Sequence, residues 1–293
     1  MTNRREALAG ASAALIAACA PHAQASAPAM VTPPRLPELE RQLGGRIGVF
    51  ALNTANEATL GYRVDERFAM ASTFKWMLAA AMLKRAQDGG APLSRRLPYT
   101  QADMLEYAPV TQAHLSEGAM SIEDLCAAAV ELSDNTAANV LLHDYNGPPA
   151  LTQFIRANGD TVTRLDRDEP SMSENAPGDV RDTTSGRAMV GLMRTILLGN
   201  VLNADNRAKL IGWMEHCTTG QNRLRAGLPA TWRVGDKTGS GFHGATNDLA
   251  IAWPPNKAPI LIACFVNVDN PSRTAARETA CAEIGRLIAA TWS

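Results

Sequence analysis

A chain of 293 residues, 46% hydrophobic and 19% charged, is long enough to bury a substantial core as one large domain or two intertwined ones. Its formal net charge of −1 provides no basic face for nucleic acid or anionic lipid, so polyanions are excluded as expected partners. Its five histidines lack H-x-H and H-E-x-x-H spacing and its cysteines lack C-x-x-C, which argues against a metal-dependent hydrolase.

Residues 1–25 read as an export signal: Arg4 and Arg5, an apolar run from Ala7 to Ala20, then Ala23-Gln24-Ala25 as a cleavage site. The run is too short, and too interrupted by Gly10 and Ser12, for a membrane span. A mature chain starting near Ser26, periplasmic or secreted, is therefore expected, by either the general or the twin-arginine route. Ile16-Ala17-Ala18-Cys19 also matches a lipobox and would anchor the chain by a lipid on Cys19; simple secretion is favoured because the A-x-A site follows it. Cys126, Cys217, Cys264 and Cys281 remain in the mature chain, and their spacing identifies no disulfide.

After a proline-rich tether from Ala27 to Pro37, Leu36 to Leu43 predicts a short helix ended by Gly44-Gly45. Arg46–Leu52 and Ala58–Val64 read as an antiparallel hairpin. A dense apolar run without internal glycine or proline, Ser72–Gln87, predicts a buried helix with Ser72 at its start. Further helices are expected over Ser121–Leu132, Thr136–Asp144, Pro149–Asn158, Thr183–Leu198 and Asn203–Cys217, with an ordered loop at 164–182. Strands return at Trp232–Lys237, Asn247–Trp253 and Ile260–Val268, and a helix from Arg273 to Thr291 closes the chain. This order predicts an α/β chain of the α+β type. An antiparallel sheet domain is built from both termini (residues 26–66 and 218–293), with an all-helical domain inserted over 67–217.

Four short patterns carry chemistry. In Ser72-Thr73-Phe74-Lys75 the first and last side chains share a helix face, so an amine or a nearby carboxylate acting through water can activate the hydroxyl, a weak nucleophile on its own. A helix start also favours a developing oxyanion at the Ser72 N–H. An N-cap serine with a surface lysine is the plain alternative, and the apolar surroundings of Lys75 speak against it. Ser133-Asp134-Asn135, between two helices, reads alone as helix capping. Arg167-Asp168-Glu169-Pro170 reads alone as a solvated acidic loop, and Lys237-Thr238-Gly239-Ser240-Gly241 as a strand end where small residues admit a close backbone approach.

In this order the four patterns resemble the class A serine β-lactamases, a family marked by S-x-x-K, S-D-N and K-T-G. The resemblance covers essentially the whole mature chain, including Tyr107 and Thr218–Pro229. It implies the fold shared with penicillin-binding proteins and hydrolysis of the β-lactam amide through an acyl-serine, conferring β-lactam resistance. It also implies a monomer with a small-molecule β-lactam partner and neither cofactor nor metal.

By that resemblance Ser72 is the nucleophile, Lys75 and Glu169 handle protons, and Glu169 activates the deacylating water. Ser133 relays a proton to the leaving nitrogen, supported by Asp134, and Ser240 gives the second oxyanion N–H. Asn135 binds the substrate's side-chain amide, Lys237 and Thr238 its carboxylate, and Tyr107 stands at the cleft rim. Arg167 and Asp182 match the pair that clamps the loop neck. Glu169 separates a hydrolase from a penicillin-binding sensor or peptidase that acylates and stalls.

Some positions depart from the family pattern. Ser173 stands where many members carry asparagine; Cys126 matches one half of a disulfide found in some members, but Ala79 occupies the partner position, so that bridge cannot form. Thr246 replaces an arginine whose carboxylate-binding role falls to Arg223. Ser240, Thr219, Arg223 and Ser173 together resemble extended-spectrum and carbapenem-hydrolysing members, so a carbapenemase activity is expected.

Overall fold

The apolar runs near the two ends of the chain pair into one sheet. In the computed structural model, which describes residues 29–174, 176–268 and 270–293, β1 (Arg46–Asn53) pairs antiparallel with β2 (Ala58–Tyr62). The export signal and Cys19 lie outside the described residues. β7 (Arg233–Ser240), β8 (Ala245–Trp253) and β9 (Ile260–Asn267) complete a five-stranded antiparallel sheet in the order β2-β1-β9-β8-β7. Central β9 is covered on both faces, which is why its sequence is a continuous apolar run. Ile260, Ile262, Cys264 and Val266 enter one apolar layer, with α1 (Arg35–Leu43) and α10 (Thr274–Trp292); Leu261, Ala263 and Phe265 enter the other.

That second layer is mostly helical. α2 (Lys75–Gln87) lies at its centre with Trp76, Met77 and Leu78 fully buried. Around it are α3 (Pro109–Ala113), α4 (Ile122–Glu131), α5 (Asn135–Asp144), α6 (Gly147–Ala157), α7 (Gly186–Met193) and α8 (Ala204–Glu215); α9 (Leu224–Gly227) leads back into the sheet. α4, α5, α7 and α8 begin on Ser121, Asp134, Ser185 and Asn203, whose side chains accept a backbone N–H of the first turn.

Several expectations change in detail. The tether is partly structured: Val31 bridges Leu60 on the edge strand, donating its N–H to Thr59 O (2.9 Å) and accepting from Gly61 N (2.9 Å). The inserted portion is not purely helical. β4 (Arg96–Pro98) pairs with β5 (Ala119–Ser121), and β3 (Phe68–Ala69) pairs with β6 (Thr183–Thr184) where a helix start was expected. Thr183 and Thr184 are β-branched and favour the extended backbone, and the helix waits for the Ser185 cap. Ser72 lies in a 3₁₀ turn (Ala71–Phe74) that runs into α2, rather than in the α-helix itself. β7 continues past Lys237, with Thr238, Gly239 and Ser240 opposite Asp248, Asn247 and Thr246.

Candidate active site

Six segments of the chain converge on one cavity of about 590 Å³ lined by Ser72, Tyr107, Ser133, Asn135, Glu169, Ser173, Thr219, Arg223, Thr238 and Ser240. Every expected site residue lines it except Lys75 and Lys237, which are fully buried in its wall.

Ser72 is presented by a strained turn. Ala71 before it has φ 45°, in the left-handed region that a residue with a Cβ avoids. β7 lies directly against this turn because Gly239 has no side chain: a Cβ there would stand 2.6 Å from Met70 O. Asn247 Nδ2 donates to the carbonyls of Ala69 (2.8 Å) and Met70 (3.0 Å), tying β8 to the same turn.

The Ser72 hydroxyl lies 3.1 Å from Glu169 Oε1, and the Lys75 ammonium approaches the same oxygen at 3.2 Å. Nζ of Lys75 also donates to Ser133 O (2.8 Å) and Asn135 Oδ1. Burial pushes the Lys75 amine below the usual lysine range, and the Glu169 carboxylate opposes that shift. Lysine and serine therefore meet on a shared carboxylate, a closer arrangement than common placement on a helix face requires.

Glu169 is 4% exposed, so the solvated acidic loop does not describe it. Its loop is clamped at the neck. Arg167 Nε donates to Asp182 Oδ2 (2.7 Å), and Asp182 Oδ1 accepts the N–H groups of Asp166 (2.7 Å) and Arg167 (3.0 Å). From α5, Asn139 holds the Glu169 backbone from both sides: Nδ2 donates to Glu169 O (2.8 Å) and Oδ1 accepts from Glu169 N (3.0 Å). Ser173 Oγ donates to Glu169 Oε2 (3.1 Å), and Ser173 O accepts from Phe242 N (2.9 Å), linking the loop to the turn after β7. Sequence reading missed Asn139 and Phe242. The available signal for the first was its place one helical turn after Asn135.

The capping reading of Ser133-Asp134-Asn135 holds for its middle residue. Asp134 caps α5 through Ala137 N (2.8 Å) and also accepts Val110 N, Thr111 N and the Thr111 hydroxyl. Its neighbours face the cavity. Ser133, at φ 60°, receives at Oγ a hydrogen bond from Lys237 Nζ (3.0 Å). Burial pushes Lys237 down to about 8. Asn135 N donates to Tyr107 O (2.9 Å), which seats the half-exposed Tyr107 at the rim.

Thr219 and Thr238 hydroxyls are in direct contact. Arg223 lines the cavity but is only 7% exposed, and much of its guanidinium is engaged. Nη1 donates to Gly239 O (3.0 Å) and Asn247 O (2.8 Å), Nη2 to Ser240 Oγ (2.7 Å), and Nε lies 3.5 Å from Glu278. Its Nη2 thus bonds the Ser240 side chain at the cavity wall.

The model of the β-lactamase enzyme family Beta-lactamase2 matches residues 34–292. The chain belongs to the class A β-lactamases. It is 45% identical over 231 residues to β-lactamase OXY-1 of Klebsiella oxytoca, covering 79% of each chain, and 45% identical over the same length to CTX-M-8 of Citrobacter amalonaticus. Among solved structures, a reconstructed ancestral class A β-lactamase superposes with a TM-score of 0.86 at 50% identity, covering 88% of this chain and 98% of that one. The putative class A β-lactamase PenP of Rhodopseudomonas palustris gives 0.85 at 44% identity.

All four cysteines of the described residues are buried and form no disulfide. Among the described residues no group of His, Cys, Asp or Glu is suited to hold a metal, and no helix is long and apolar enough to cross a membrane.

Proposed function

We propose that this class A β-lactamase opens the β-lactam amide through an acyl-enzyme on Ser72 and hydrolyses that ester with water activated by Glu169. The observation that carries the reading is the shared Glu169 oxygen, 3.1 Å from the Ser72 hydroxyl and 3.2 Å from the Lys75 ammonium. Glu169, with Lys75 beside it, takes the Ser72 proton as the hydroxyl attacks the lactam carbonyl. Backbone N–H groups of Ser72 and Ser240 receive the oxyanion. When the C–N bond breaks, Ser133 gives its proton to the ring nitrogen, and Lys237, 3.0 Å from Ser133 Oγ, favours the charge that develops there. Ser133 then recovers, by way of the Lys75 amine 3.2 Å from Glu169, the proton that Glu169 took from Ser72, so that Glu169 is ionised again. In the second half Glu169 removes a proton from water as it attacks the ester, and Ser72 leaves with a proton returned.

Lys237 and Thr238 receive the substrate carboxylate, Asn135 the side-chain amide, and Tyr107 the apolar body at the rim. Thr219 supports Thr238, and Arg223 acts through Ser240. Ser173, bonded to Glu169 Oε2, orients the base with a side chain shorter than asparagine and leaves room beside it. That room, with Thr219, Arg223 and Ser240, supports cephalosporins and carbapenems as substrates. The signal-like residues 1–25 support export to the periplasm.

The test is reaction of the purified mature chain with benzylpenicillin, a cephalosporin and a carbapenem, followed by product absorbance and intact mass. Turnover with little trapped adduct is the expected result. A persistent one-to-one adduct on Ser72 would make the chain an acylating sensor instead.

A further inference from the structure

Ser72 enters the cleft on a turn whose backbone is held against its own preference. Ala71 has φ 45°, a conformation that is unfavourable for a residue with a Cβ and persists only where its surroundings impose it. A relaxed arrangement lies one rotation away. Met70, just before it, has φ −75° and ψ −35°. Turning over the peptide plane between the two residues, by about 180°, would carry ψ of Met70 to about 145° and φ of Ala71 to about −135°, values open to any L-residue.

What opposes that rotation is the set of donors on the carbonyl of the plane. Met70 O accepts from Asn247 Nδ2 (3.0 Å), from the Thr73 hydroxyl (2.9 Å) and from Thr73 N (3.3 Å), the last being the first bond of the 3₁₀ turn that contains Ser72. The two Thr73 donors belong to the turn itself and move with it. Asn247 does not: it is 1% exposed on β8, its backbone set between Gly239 of β7 and Phe265 of β9. Its amide cannot turn over to suit a rotated plane either. The same Nδ2 donates to Ala69 O (2.8 Å), which belongs to the preceding plane, and an amide oxygen in that place would face a carbonyl. That preceding plane is fixed at its other end, where Met70 N donates to Asp182 O (2.9 Å).

We propose that Asn247 is a positioning residue for acylation: its side-chain amide holds the Met70–Ala71 peptide plane in the strained orientation that aims the Ser72 hydroxyl and N–H at the substrate carbonyl. Without that amide the plane turns over to relieve Ala71. Both Thr73 donors then lose Met70 O, the 3₁₀ turn opens just ahead of Ser72, and the fraction of enzyme able to acylate falls. Asn247 acts through the turn and takes no part in proton transfer. The inference rests on Ser72 as the nucleophile.

The experiment is a double-mutant cycle on the rate of adduct formation with benzylpenicillin, read by rapid quench and intact mass, over wild type, Asn247→Ala, Ala71→Gly and the two together. Glycine takes a positive φ freely, so at position 71 it removes the strain that Asn247 opposes. With alanine at 71, Asn247→Ala should slow acylation about tenfold, the scale of a lost buried hydrogen bond. With glycine at 71, the same change should slow it no more than about threefold, because the observed plane no longer carries the left-handed penalty. A general loosening of the sheet would not be rescued in this way. Asn247→Leu, which fills the space without a donor, repeats the cycle if the alanine variant does not fold. Equal losses on the two backgrounds, or acylation by both Asn247 variants within about twofold of wild type, would overturn the proposal. Ser72→Ala is the separate control: an adduct that still forms there would mean that Ser72 is not the nucleophile, and the proposal would fall for that distinct reason.

Discussion

The hydroxyl of Ser72 and the carboxylate of Glu169, 97 residues apart in sequence, stand 3.1 Å apart in the fold. The contact exists because the 3₁₀ turn carrying Ser72 and the clamped loop carrying Glu169 face each other across Lys75. Removing the carboxylate while leaving the loop backbone to Asn139 separates the two halves of the reaction. Glu169→Ala should accumulate a covalent adduct on Ser72 with benzylpenicillin, and steady-state turnover should fall about 10³-fold, the usual scale for a positioned general base. Intact mass spectrometry during turnover reads both effects. Equal adduct lifetimes in wild type and variant would remove Glu169 from deacylation.

Lys237 predicts an alkaline limit. Burial holds it at about 8 in the free enzyme, so it carries its charge below that pH and loses it above. As a result, kcat/KM for an anionic β-lactam should fall as pH rises through about 8. Lys237→Arg, which stays charged, should move that limb upward even where it lowers the maximum. The stability effect has the opposite sign. Because the folded pKa lies below the unfolded value near 10.5, folding bears the cost of neutralising or burying the charge below pH 8. That cost relaxes between about pH 8 and 10.5, so Lys237→Met should stabilise the protein most below pH 8. Denaturant midpoints at pH 7 and pH 10 test this.

Much of this architecture was legible in the sequence because its strongest signals are local. The uninterrupted apolar run of α2 and the doubly covered β9 need only their neighbours to be read, and the four motifs, each bland alone, are read from their order along the chain. What was missed depends on partners distant in sequence. Val31 looked like tether because its strand partner, Leu60, is 29 residues away, and two-residue β3 and β6 have no periodicity to detect. Asn139 carries no motif, and its meaning appears only when the loop folds back onto α5. Arg223 lines the cavity, but residue type says nothing of the carbonyls of Gly239 and Asn247 that engage it. Asp134 shows the reverse case, since capping and support of the site proved compatible in one side chain.

The loop neck predicts a coupled loss of stability and turnover. Asp182 is fully buried and satisfies Arg167 Nε together with two backbone N–H groups. Asp182→Ala should cost about 3 kcal/mol, because it leaves Arg167 Nε and two amides without their acceptor, while Glu174 and Asp179 still pair with the rest of the guanidinium. Asp182→Asn retains one acceptor oxygen and should cost less. Thermal unfolding gives the ranking. If deacylation slows in the same order, measured by the lifetime of the Ser72 adduct, the neck sets the position of Glu169; unchanged lifetimes would confine the clamp to stability.

Gly239 gives the sharpest steric prediction. Its backbone φ is ordinary, so the case for glycine rests on space: a Cβ would stand 2.6 Å from Met70 O and 3.1 Å from Thr73 N and its γ-methyl, all parts of the turn that presents Ser72. These neighbours are largely backbone and cannot rotate away, so Gly239→Ala must push β7 from the turn by several tenths of an ångström. That displacement would carry Ser240 and Thr238 away from Ser72 while leaving Lys75 and Glu169 in place. Acylation should therefore fall by about 10² or more, since preorganised oxyanion donors lose most of their worth when displaced. Deacylation of whatever adduct forms should change less than acylation. Rapid-quench measurement of both steps tests the asymmetry, and an acylation rate within a few-fold of wild type would mean that the turn yields and the close approach is not what aligns the site.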